Sequence, residues 1–134
     1  MDNLSHLQRS ATMSRITSRD TKPEMIVRKL VHRLGYRYRL HDPRLPGRPD
    51  IVLQRLKKII LVNGCFWHRH HCRLGRPMPS THCSYWIPKL QGNAERDRRN
   101  RKRLMKDGWK VLVVWECWTK KRDLVDRLRE FLLD

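Results

Sequence analysis

The stretch from Ile59 to Cys72 constrains this chain more than any other. Ile59-Ile60-Leu61-Val62 is an apolar run of strand length, and Asn63-Gly64 ends it. The eight residues from Cys65 to Cys72 hold two cysteines, three histidines, Phe66 and Trp67. Thiolate and imidazole are the ligands zinc prefers, and Cys65, His70 and Cys72 can supply three of the four it takes in a closed site. A metal held there would stiffen the loop that carries Phe66 and Trp67. The plainer alternative is a buried thiol pair with exposed histidines. The chain has only 4 Cys and 7 His in all, so this density argues for the metal.

At 134 residues the chain is expected to form one domain, 1–134, with residues 1–20 as an N-terminal arm. No segment approaches the roughly 20 apolar residues of a membrane-spanning helix. The start, Met-Asp-Asn-Leu-Ser-His, lacks the regions of a signal peptide. A cytoplasmic location follows as an expectation. Cysteines would be reduced there, so metal binding explains them better than disulfides. Lys and Arg number 31 against 13 Asp and Glu, a formal charge of +18. A field of that size attracts polyanions and implies salt-dependent nucleic-acid binding, without separating DNA from RNA. Carboxylates are scarce, so one placed at a strand end is a good metal-ligand candidate.

Thr21-Lys22-Pro23-Glu24 reads as a helix start, with Thr21 accepting from a backbone amide and Glu24 reaching back in a capping box. The helix should run from about 22 to 34 on a stripe of Ile26, Leu30, Val31 and Leu34, and Gly35 should end it. Residues 36–41 alternate like a strand, and 42–47 form a turn. Pro49 then admits Asp50 at the opening of an apolar strand, an uncomfortable place for a carboxylate unless it binds something. A tight hairpin over 54–58 would set Asp50 opposite Val62 and Asn63, close to His68. Helix is expected from about 84 to 107 with a break near Pro88 or Gly92, carrying a basic series from Arg96 to Lys106. Residues 110–115 form a further strand. If it lies parallel beside 58–62, Cys117 falls next to Cys65 as a fourth zinc ligand. Asp123 to Leu133 is an amphipathic helix with Leu124, Leu128, Phe131 and Leu132 inward. The order α-β-β-β-α-β-α implies an α/β fold, a mixed central sheet flanked by helices.

Taken in order, these stretches resemble the very-short-patch repair (Vsr) endonucleases, which nick DNA beside T:G mismatches. They are Arg9-Ser10 with Met13 and Ile16, Thr21-Lys22-Pro23-Glu24, Leu45-Pro46-Gly47-Arg48-Pro49-Asp50, Gly64-Cys65-Phe66-Trp67-His68 with His70 and Cys72, Asn93 with Arg96-Asp97, and Gly108-Trp109 through Trp115-Glu116-Cys117. The resemblance implies a type II restriction-endonuclease-like fold and a divalent-metal phosphodiester hydrolase. It implies Asp50 and the Val62 backbone carbonyl as Mg²⁺ ligands, His68 as catalytic histidine, and Glu24 as an acid near the active site. Structural Zn²⁺ would sit on Cys65, His70, Cys72 and Cys117. Phe66, Trp67 and Trp86 would form an aromatic wedge in the DNA. Asn63 stands where the family often has an acid or histidine linked to catalysis. No acid-x-Lys pair follows Asp50, so one carboxylate must anchor the metal.

The partner so implied is double-stranded DNA with a T:G mismatch from deaminated 5-methylcytosine, in a bacterial, nucleoid-associated setting. Pairing with a DNA cytosine methyltransferase and a repair polymerase and ligase is also implied, with the chain acting as a monomer. Two other readings remain at this point. One is a non-catalytic zinc module that packs or bends DNA. The other is a restriction endonuclease cutting both strands.

Overall fold

A computed structural model describes residues 20–65 and 83–134, the side chains of 83–86 excepted. Helix α1 (Lys22–Arg33) begins where the sequence places it. Thr21 is extended, and its hydroxyl accepts from the Glu24 amide at 3.4 Å. Pro23 lies in the first turn, where no intrahelical N–H is needed. The helix closes on Gly35 at φ 93°, with the Gly35 amide donating to His32 O and the Tyr36 amide to Val31 O. This is a Schellman ending, which glycine makes without steric cost.

Among the described residues four strands follow: β1 (Arg39–Leu40), β2 (Ile51–Leu53), β3 (Lys58–Asn63) and β4 (Lys110–Trp115). They form one sheet in that spatial order. β2 runs antiparallel to both β1 and β3, and β4 runs parallel to β3. The long helix α2 (Cys83–Lys106) lies on the connection from β3 to β4. A 3₁₀ turn (Glu116–Lys120) leads from β4 to α3 (Leu124–Leu133). Among the described residues no helix is long and apolar enough to cross a membrane.

Strand alternation sends side chains to both faces, and both faces are covered. On one, Ile51, Leu53, Ile60 and Val114 pack with Val27 and Val31 of α1 and with Leu124, Leu128 and Leu132 of α3. On the other, Val52 and Ile59 pack with Leu104 of α2, with Leu61, Trp109 and Val111 against them. The inference of a mixed sheet flanked by helices therefore holds, including the parallel β3–β4 pair.

Three local expectations need correction. The strand expected over 36–41 is only Arg39–Leu40. Tyr36 serves the end of α1, the Tyr38 hydroxyl donates to Arg28 O at 3.1 Å, and β2 is too short to pair further back. The expected break at Pro88 or Gly92 is absent, and α2 is continuous. An interior proline costs a helix about 3 kcal/mol. Burial of Leu90 and Leu104 offsets this at about 1.5–3 kcal/mol each. The inner face of α1 is centred on Glu24, Val27 and Val31, with Ile26, Leu30 and Leu34 only partly buried at its margin.

Candidate active site

The spacing that buries Val27 and Val31 buries Glu24 too, since positions three and seven apart share a helix face. A carboxylate 2% exposed must be compensated. Its Oε1 hydrogen-bonds with His41 Nε2 at 3.0 Å, and its Oε2 accepts from Arg28 Nη1 at 3.3 Å. Arg28 also donates to Asp20 Oδ1 at 2.8 Å. Thr21 still caps the helix, but the Glu24 carboxylate faces inward to these partners.

Asp50 comes to the same place from the sheet. In the β2–β3 register Ile51 faces Ile60, so Asp50 stands just beyond the ladder, beside the C-terminal end of β3. Its Oδ2 accepts the Val62 amide at 2.8 Å. An extended residue turns its N–H and C=O to the same side, so the Val62 carbonyl also faces Asp50. Burial raises the Asp50 carboxyl far above its usual range, to about 7. The Val62 bond opposes this, and the neighbouring Glu24 charge adds to it. Two acids thus crowd a space that favours a cation or a proton.

The backbone closes the arrangement. His41, at the end of β1, has φ 47°, and its amide donates to Asp50 O at 3.2 Å. A non-glycine residue held there is strained by about 1–2 kcal/mol. The loop from 42 to 49 is pinned. Asp42 accepts from the Arg44 amide and from its guanidinium at 2.9 and 3.0 Å, and those bonds hold its carboxyl down at about 2. A Cβ on Gly47 would lie 2.7 Å from Asn100 Nδ2, so the loop sits hard against α2.

Asp50, Glu24 and Val62 are therefore brought together. Asn63 ends β3 next to them and is buried. Cys65 and Cys117 leave the parallel pair at the same end, each two residues past the aligned Asn63 and Trp115. The Cys65 amide donates to Glu116 Oε1 at 3.2 Å, which ties the two exits together. His68, His70, Cys72, Phe66 and Trp67 lie outside the described residues, as do the side chain of Trp86 and arm residues 1–19. On α2, Arg96, Arg98, Arg99, Lys102, Arg103 and Lys106 are exposed, a solvated basic surface. The sequence reading gave no role to His41 or Arg28, and it named Glu116 only within the stretch Trp115-Glu116-Cys117. The one available signal was Glu24, Val27 and Val31 sharing a face, which demands a cationic or polar partner for Glu24.

Fold and site together define a mixed α/β protein with an acidic centre at the open end of its sheet. The model of the family described as DNA mismatch endonuclease Vsr matches residues 1–74. The type II nicking enzyme V.XorIIP of Xanthomonas oryzae pv. oryzae is 46% identical over 116 residues, 87% of this chain and 85% of that protein. The type II nicking enzyme V.NmeAIP of Neisseria meningitidis is 44% identical over 115 residues, 86% of this chain and 81% of its own. DNA mismatch endonuclease Vsr of Escherichia coli K12 is 42% identical over 130 residues, 92% of this chain and 83% of that one. The chain belongs to the Vsr DNA mismatch endonuclease family.

Proposed function

We propose that this DNA endonuclease nicks one strand beside a T:G mismatch, on a restriction-endonuclease-like scaffold, with Mg²⁺ at Asp50. The observation that carries the reading is the Asp50 carboxylate, fixed by the Val62 amide at 2.8 Å beside the buried Glu24. Family membership makes the chain an endonuclease on DNA. The names of the Xanthomonas and Neisseria relatives favour cutting of one strand over two.

The donor set suits the metal. Mg²⁺ takes hard oxygen ligands, commonly one or two carboxylates with water and substrate phosphate completing the shell. Asp50, the Val62 carbonyl and Glu24 offer oxygen only. When bound, Mg²⁺ supplies positive charge to the scissile phosphate and the leaving oxygen. In the proposed mechanism Asp50 holds that charge at the strand end, and Glu24 shapes the water shell next to it. Asn63 borders the same space. His68, through its imidazole, orients or deprotonates the attacking water. The basic face of α2 binds phosphates without reading sequence.

Cys65, His70, Cys72 and Cys117 hold a structural Zn²⁺ in this reading. Cys65 and Cys117 suit it, since they leave adjacent parallel strands together. The metal stiffens the loop that carries His68, Phe66 and Trp67. With Trp86, these aromatics enter the duplex at the weakly stacked wobble pair, where unstacking costs least. The cellular setting proposed is very short patch repair of deaminated 5-methylcytosine, acting as a monomer after a cytosine methyltransferase and before a repair polymerase and ligase. A non-catalytic zinc module would explain the charge and the Cys and His set, but not two carboxylates gathered at a strand end.

The test is Asp50→Ala. It should abolish nicking while leaving DNA affinity within about threefold, since phosphate contacts carry most of the binding. Normal nicking by this variant would overturn the assignment.

A further inference from the structure

The acidic centre is built from two elements far apart in sequence, and one residue touches both. His41 Nε2 hydrogen-bonds with Glu24 Oε1 at 3.0 Å, and the His41 amide donates to Asp50 O at 3.2 Å. The imidazole thus contacts the helix-borne acid, and the backbone contacts the strand-borne one. His41 makes both contacts at a left-handed φ of 47°, just past the end of β1. The residues after it leave little slack, because Arg44 pins Asp42 and Gly47 packs on Asn100. Glycine would take this backbone freely, whereas histidine adopts it at a conformational cost. Arg28 already supplies charge to Glu24 Oε2, so the imidazole is not needed merely to neutralise the acid. What it adds is direction: it fixes the rotation of the carboxylate through its second oxygen.

We propose that His41 is a positioning residue that sets the Glu24 carboxylate relative to Asp50, and so the geometry in which the centre receives its divalent cation. The inference rests on the reading of Asp50 and Glu24 as the metal-holding centre. In this proposal His41 acts through Glu24. Bonds made by groups behind a metal shell fix ligand orientation, and their loss typically weakens metal binding about 10–100-fold.

The experiment is direct Mn²⁺ binding to the full chain, followed by electron paramagnetic resonance without DNA, alongside thermal melting. His41→Gly keeps the backbone bond to Asp50 and relaxes the left-handed strain, and it deletes only the imidazole. It should weaken Mn²⁺ binding about 10–100-fold in a chain that still melts in one cooperative transition, at a somewhat lower temperature because Glu24 Oε1 loses its partner. His41→Gln restores a donor at similar reach and should recover most of the affinity. If His41→Gly does not fold, His41→Asn carries the same expectation, being suited to this backbone and too short to reach Glu24. Undiminished Mn²⁺ affinity in the glycine variant, or a glutamine variant as weak as the glycine one, would overturn the inference. Asp50→Ala is measured in parallel. If it binds Mn²⁺ normally, the reading of the acidic centre itself fails. If it loses Mn²⁺ while His41→Gly keeps it, only the role of His41 fails.

Discussion

Asp50→Asn should make the metal-free protein more stable and inactive at once. Burial keeps the Asp50 carboxyl neutral up to about 7 rather than 3.8, so above neutrality the fold carries a buried anion that the Val62 amide only partly compensates. Each pH unit in that interval is worth about 1.4 kcal/mol. Allowing for partial solvent access and for sharing of the effect with Glu24, the ionised group costs the metal-free fold about 2–4 kcal/mol. Asparagine removes the charge, and its Oδ1 can still accept the Val62 amide that now bonds to Oδ2. The sign follows from linkage. Below pH 4 the carboxyl is protonated whether the chain is folded or not, so the substitution gains nothing there. Its advantage grows as pH rises from 4 to 7 and is constant above. Thermal melts in Mg²⁺-free buffer should show a rise of about 5–15 °C at pH 8 and less than half of that at pH 5. The same gain at both pH values, or a loss at pH 8, would refute the electrostatic argument. Added Mg²⁺ should stabilise the unsubstituted chain and not the variant.

Two further outcomes test other parts of the molecule. Lys58 is a buried cation whose Nζ donates to the carbonyls of Phe131, Leu132 and Asp134 at 2.6, 3.1 and 3.1 Å, tying β3 to the end of α3. Lys58→Ala should cost about 2–4 kcal/mol in urea unfolding, because it strips these carbonyls of their donor and leaves a void. Elemental analysis should find one zinc per chain, and Cys117→Ala should lower both zinc content and stability. Retained zinc in that variant would move the fourth ligand to Cys83 or His71.

Most of the frame was legible because local chemistry and global packing agree in it. Thr21, Pro23 and Gly35 bound α1 by capping rules that need no tertiary information. The hairpin returning from Ile51–Leu53 to Lys58–Asn63 is short enough that register follows from the turn, so Asp50 beside Val62 could be read directly. Parallel pairing of β3 and β4 entered the sequence reading only as a condition, and the helix-length connection between the two strands is what permits it. Errors arose where tertiary packing overrode a local signal. Pro88 does not break α2, because the helix buries Leu90 and is held against the sheet by Leu104. The alternation of 36–41 does not become strand because Tyr36 and Tyr38 are drawn to α1. The two sides of Glu24 show what sequence cannot give. As a cap it was visible three residues from Thr21. As a member of a buried pair it depends on His41, seventeen positions away, and on a left-handed backbone that no motif announces.

The central claim is strand-specific nicking at a mispair, and one assay addresses it. Purified protein is incubated with Mg²⁺ and a duplex containing one T:G pair, each strand separately end-labelled, beside the matched T:A duplex at the same salt. The account predicts one cut, in one strand only, next to the mismatched T, with little cutting of matched DNA and none without a divalent metal. Equal cutting of matched and mismatched duplexes, or cleavage of both strands, would contradict it.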